Sequence, residues 1–144
     1  LESYQPAHRS GMAPALHAVA ESLKRRGLVI VLSDLVDDPD EVMRAFQHFR
    51  HERHEIIIFN IFDPAELEFP FNGLIEFRDL ETRERLDARA EVIRDAYLEA
   101  FNAFVERLRR ETTNARIDYH LVNTRTPFEQ MLAACLKRRE KMGK

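Results

Sequence analysis

Little in this chain points to covalent or membrane-borne stability. Cys135 is the one cysteine among 144 residues. No disulfide can close within the chain, and the count fits a reducing compartment. Tryptophan is absent and glycine occurs four times. Neither a P-loop nor a G-x-G-x-x-G cradle for phosphates is present. No apolar run reaches the ~20 residues that a membrane-spanning helix needs, and the first residues do not read as a signal peptide. Charge of one sign is also missing. A net charge of -3 and a pI near 6.1 give no broad footprint for nucleic acid or an anionic membrane. The chain opens on Leu1 rather than Met and reads as a piece of something longer, so an upstream anchor stays open.

What is present suits one soluble domain with a real core, since the length and the 44 % apolar content are those of ordinary globular proteins. Residues 1–14 read as a loop that gives way to a helix from Met12. Met12, Leu16, Val19, Ala20 and Leu23 share a face, Lys24 to Arg26 close the last turn, and Gly27 stops it. Leu28 to Leu32 is a short aliphatic run rich in β-branched residues, which predicts a strand covered on both faces. Pro39 to Arg53 places Val42, Met43, Phe46 and Phe49 at helical spacing, and Ile56 to Ile61 forms a second buried strand. Helix, strand, helix, strand with short links argues for a parallel sheet with crossover helices.

Phe69 to Leu86 breaks that rhythm and predicts a short hairpin turning near Asp79 to Thr82. A long helix follows over about Ala88 to Glu111, with a stripe of Ile93, Tyr97, Phe101, Phe104 and Leu108. "RIDYHLVN" alternates as an edge-side strand would. Thr126-Pro127-Phe128-Glu129 has the form of a capping box with Pro at the first helical position. The last helix carries Phe128, Met131, Leu132, Cys135 and Leu136, and a basic tail frays from it. Cys135 on that apolar face reads as a small buried hydrophobe.

The acids sort by position. Asp38-Pro39-Asp40-Glu41 matches a helix start, with Asp38 as N-cap and Glu41 reaching back. Asp63-Pro64-Ala65-Glu66 repeats the device after the second strand. Asp34 directly follows the first strand and is too early to cap the next helix. Ligands of open parallel sheets collect outside the carboxyl ends of the strands, where a carboxylate can hold a hard cation. The same Asp34 could instead close an Asx turn on its own backbone, and spacing leaves both open. His48, His51 and His54 read as a solvated basic helix end rather than a surface zinc site. Nothing here has the ordering of a Ser-His-Asp or Cys-His nucleophile. Lysines and arginines interleave with acids in "ETRERLDARAEVIRD", as on solvated helix faces.

Three segments, "RRGLVIVLSDLVDD", "HEIIIFNIFDPAELEFPF" and "FRDLETRERL", resemble the C-terminal half of the DUF58 proteins, which carry a von Willebrand factor type A-like domain. The resemblance spans nearly the whole chain, and "DPAELEFPF" with "DLET" is its most specific part. It implies that residues 1–144 are the C-terminal part of such a domain: a partial, doubly wound, Rossmann-type α/β sheet of about three parallel strands, with helices and a small hairpin. It also implies a metal-ion-dependent adhesion site, in which Mg²⁺ or another divalent cation is bound by a D-x-S-x-S motif, a later Thr and an Asp after the fourth strand. Asp34 matches that Asp. Ser10 stands where the Thr is expected, and the D-x-S-x-S motif would lie upstream of Leu1. The fragment would then hold a cation weakly.

The expectation is a cation-dependent protein-interaction domain, not an enzyme. The resemblance implies complexes with MoxR-type AAA+ ATPases and a cytoplasmic setting, which could be the cytoplasmic part of a membrane-anchored parent. No nucleic acid partner and no membrane insertion by this segment are expected. With earlier strands missing, Leu28–Leu32 would be an apolar sheet edge, from which dimerisation of the fragment is expected. Two alternatives are a metal-dependent phosphohydrolase, with Asp37 or Asp63 assisting Asp34, and a degenerate scaffold that binds partners without metal.

Overall fold

The computed structural model describes residues 11–78 and 85–141. The elements run α1 (Met12–Ser22), β1 (Leu28–Ser33), α2 (Pro39–His51), β2 (Glu55–Phe62), α3 (Pro64–Glu68), β3 (Leu74–Arg78), β4 (Arg85–Arg89), α4 (Ala90–Asn114), β5 (Asp118–Asn123) and α5 (Phe128–Lys141). The protein is a mixed α/β fold with a three-stranded parallel sheet in the order β1-β2-β5 and a separate antiparallel hairpin of β3 and β4. The chain divides into two compact units, Leu1–Ile61 with Leu108–Leu121 and Phe62–Arg107 with Val122–Lys144.

In the first unit, β2 is the central strand and Ile56 to Asn60 are all buried. β1 runs parallel to it, from Leu28 opposite Glu55 to Ser33 opposite Asn60. α2 places Val42, Met43, Ala45, Phe46 and Phe49 in the core, the amphipathic pattern expected of a crossover helix. Its start is an Asp38 cap: Oδ1 accepts from the N–H of Asp40 at 2.9 Å and of Glu41 at 3.1 Å. Glu41 does not reach back to the cap but pairs with Arg44.

Two expectations fail at β1 and its approach. The strand is not covered on both faces. It lies at a sheet edge, as the resemblance implied, but Leu28, Ile30 and Leu32 are about half exposed or more, 49 %, 51 % and 63 %. An aliphatic run records that a strand is apolar, not how many neighbours it has. Helix α1 ends at Ser22, capped by Leu23 in an extended conformation, so Lys24 to Arg26 lie beyond it. Gly27 does not stop a helix. Its carbonyl accepts from Glu55 N–H at 2.9 Å and opens the ladder of β1 with β2.

In the second unit the predicted hairpin is present, with Leu74 opposite Arg89 and Arg78 opposite Arg85. The expected turn at Asp79 to Thr82 lies outside the described residues. Aromatic rings cluster around the buried Phe62 and Phe69 in this unit: Phe69 meets Tyr97 at 4.8 Å between centroids and the exposed Phe71 at 5.2 Å, and Phe62 meets Phe101 at 4.9 Å. Arg94 ties the chain between α3 and β3, donating to Phe69 O at 3.2 Å, to Phe71 O, and to Asn72 Oδ1 at 2.9 Å. Burial first, and the charge of Glu66 second, raise the Tyr97 phenol above its ordinary range. Cys135 is buried as expected, whereas Phe128, Leu132 and Leu136 on the same helix are exposed.

Strand β5 forms the other edge of the sheet. The alternation read in "RIDYHLVN" is only partly kept, because Asp118 is buried and Leu121 exposed. No described helix is long and apolar enough to cross a membrane.

Candidate functional site at the end of the first strand

Asp34 lies where the sequence places it, directly beyond Ser33, the last residue of β1, and it is exposed. Its Oδ1 accepts from the Ser33 hydroxyl at 3.3 Å and from Val36 N–H at 3.4 Å, a long Asx turn. Only Oδ1 is engaged in these bonds among the described residues. Leu35 N–H donates to Ser33 Oγ at 3.0 Å, and Leu35 adopts φ +55°. That left-handed conformation costs a leucine about 1–2 kcal/mol. Its side chain is fully buried, and burial of a leucine stabilises by ~1.5–3 kcal/mol, enough to hold the conformation.

The loop is anchored by a residue that sequence reading passed over. Asn60, within buried β2, donates through Nδ2 to Asp34 O at 2.7 Å and to Ser33 O at 3.2 Å. Its Oδ1 accepts from the Tyr119 hydroxyl at 2.7 Å, which orients the amide. An asparagine inside "IIIFNIF" is the available signal, since a buried amide needs partners on both ends.

Asp37 proves to be a cap for a different helix from the one that follows it. Oδ2 accepts from Met12 N–H at 2.7 Å, the first residue of α1, while Oδ1 accepts from Asp38 N–H at 2.8 Å. A Cβ on Gly11 would stand 2.8 Å from Asp37 Oδ2, so any larger residue there would make the Asp37 carboxylate shift. Ser10 lies outside the described residues. Among the described residues no group of three or more His, Cys, Asp and Glu converges. Asp34 and the Ser33 hydroxyl are bonded to each other, and two such oxygens are fewer than Mg²⁺ or Ca²⁺ takes in total.

Asp63 is placed as a structural cap. Its Oδ1 accepts from Ala65 N–H at 2.8 Å and Glu66 Oε2 accepts from Asp63 N–H at 2.8 Å, a complete capping box. Its Oδ2 takes a long contact from the Thr124 hydroxyl at 3.4 Å, on the wall of a shallow cleft. A larger cleft, about 520 Å³, runs along α2 and the end of α4. Its arginines are committed, Arg44 to Glu41 and Arg50 to the carbonyl of His54.

The histidines are not one solvated cluster. His54 is buried, accepts from Gly27 N–H through Nδ1 at 3.2 Å and meets Phe49 edge-on at 6.0 Å. It sits between α2 and β2, with its N–H donating to Phe49 O at 3.0 Å, directly before Glu55 opens the strand. His48 is half-buried and faces His17 of α1. His51 is exposed.

A three-stranded parallel sheet with flanking helices and a small antiparallel hairpin defines a mixed α/β protein. The chain belongs to the DUF58 family: the family described as "Protein of unknown function DUF58" matches residues 1–107. The match ends within α4, before β5 and α5. No curated protein and no solved structure matches the chain.

Proposed function

We propose that this chain is part of a protein-interaction domain, not a catalyst, and that partners dock at the carboxyl end of β1 through a divalent cation. The observation that carries this reading is the loop after β1. Its backbone is gripped by Asn60, and it presents Asp34 to solvent without using it as a helix cap. In a von Willebrand A-like arrangement Asp34 would hold Mg²⁺, with Ser10 as a further oxygen donor. A D-x-S-x-S motif and a carboxylate of the partner would supply the rest. Mg²⁺ keeps several waters and needs few protein carboxylates, so one well-placed aspartate suits it. A MoxR-type AAA+ ATPase in the cytoplasm is the partner class implied by the family resemblance.

A second reading, a scaffold that binds the same class of partner without metal, is favoured by the Asx turn, which occupies Asp34 Oδ1. Binding of a MoxR-type ATPase to the parent chain, measured with Mg²⁺ and with EDTA, separates the two. Loss in EDTA and in Asp34→Ala is the expected result. Binding that survives both supports the metal-free scaffold, and no binding in either condition overturns both.

A further inference from the structure

We propose that His17 of α1 and His48 of α2 form a chelating site for a divalent transition cation, with Zn²⁺ the favoured occupant. The two residues are 31 positions apart in the chain, and their Nδ1 atoms face each other at 3.1 Å. The rings are tilted by 39° with centroids 5.4 Å apart, so they converge through their nitrogens rather than stack face to face. Helices α1 and α2 pack together, which fixes both backbones before any ligand arrives.

Two ring nitrogens at this distance have two descriptions. One neutral ring can donate an N–H to the other, or both lone pairs can point at one cation. The spacing is that of a hydrogen bond and equally suits the second. With Zn–N bonds of about 2.0–2.1 Å, a 3.1 Å separation corresponds to an N–Zn–N angle of roughly 100°, between the octahedral and tetrahedral values. Imidazole pairs suit Zn²⁺, Cu²⁺ and Ni²⁺ and are poor ligands for Mg²⁺. The site therefore differs in chemistry from the cation proposed at Asp34, and it does not rest on that reading.

Binding requires both rings to carry their proton on Nε2 and leave Nδ1 free. This is a change of tautomer in one ring, with no net proton released where both rings are neutral. Among the described residues no third ligand joins the pair, so water fills the remaining positions. The bound cation would clasp α1 to α2 and keep open coordination sites.

The experiment is calorimetric titration of the whole chain with Zn²⁺ near neutral pH, in wild type and in His17→Gln, His48→Gln and His51→Gln. We expect one Zn²⁺ per chain, affinity about tenfold or more weaker in either of the first two variants and unchanged in the third. Excess Mg²⁺ should not displace Zn²⁺. Because a cation that binds the folded state raises its stability, Zn²⁺ should lift the unfolding temperature of wild type but not of His17→Gln. Imidazole ¹⁵N spectra of wild type keep the test open if a variant misfolds: Zn²⁺ should move the Nδ1 signals of His17 and His48 together. Zn²⁺ affinity unchanged in both His17→Gln and His48→Gln, or ¹⁵N signals that do not respond, would overturn the site.

Discussion

Asp34 follows β1 directly and Asp63 follows β2 directly, yet their surroundings differ. After β2 the chain enters α3 at once, and Asp63 is consumed by capping, with one oxygen on Ala65 N–H and Glu66 closing the box. After β1 four residues, Asp34 to Asp37, intervene before Asp38 takes the same role for α2. Those residues leave Asp34 out of capping, send Asp37 to α1, and force Leu35 into a left-handed conformation. The comparison teaches that a short insertion between strand and cap can free a carboxylate, provided the core holds the extra turn. Asn60 and the buried side chain of Leu35 do so here.

The largest expected effect breaks that support. Asn60→Ala removes the three hydrogen bonds that this side chain makes to Ser33 O, Asp34 O and the Tyr119 hydroxyl, and should destabilise the fold by about 3 kcal/mol. Tyr119→Phe removes one bond of the set and should cost about 1 kcal/mol. Urea unfolding of the two variants measures both, and an Asn60→Ala protein as stable as wild type would mean that the loop is held by something else.

The two aspartates themselves come next. Asp63→Ala should cost about 1 kcal/mol, the usual worth of an N-cap, whereas Asp34→Ala should stay within ~0.5 kcal/mol because it loses only long hydrogen bonds at an exposed site. Equal losses in thermal unfolding would erase the distinction and make Asp34 a turn residue.

The smallest effect concerns a third acid near a helix start. Glu91 Oε1 accepts from Gly73 N–H at 2.6 Å, and that bond, followed by Glu91's own N–H, holds its carboxyl below the usual range against a weaker opposing effect of burial. A lowered folded-state pKa contributes stability that is present above the unfolded carboxylate value and lost as pH falls through the folded one. The stability gap between wild type and Glu91→Gln should therefore be largest near neutrality and close under acid. A gap independent of pH would mean that Glu91 acts by shape rather than charge.

Much of this comparison was legible before the fold was known. Asp38 and Asp63 announce themselves by the Asp-Pro-x-Glu order, because capping is a bond between neighbours in sequence. The place of Asp34 after a strand could be read in the same way. Asp37 could not, since its partner Met12 lies 25 residues away. His48 reads in sequence as part of a solvated helix end, yet it is half-buried and meets His17 of another helix, 31 residues away. His54 was placed in solvent because its charge-rich neighbours outweighed the one strand residue it precedes.

By itself the sequence determined the order and type of the elements, the amphipathic face of α2, the buried run of β2 and the two Asp-Pro helix starts. These follow from local periodicity and hydrogen bonds within a few residues. Only the tertiary structure decided that alternate residues of β1 stay exposed, that Asn60 grips the Asp34 loop, and which helix Asp37 caps. Each of these depends on which distant backbone comes alongside, and that is set by packing of the whole chain rather than by any window of it.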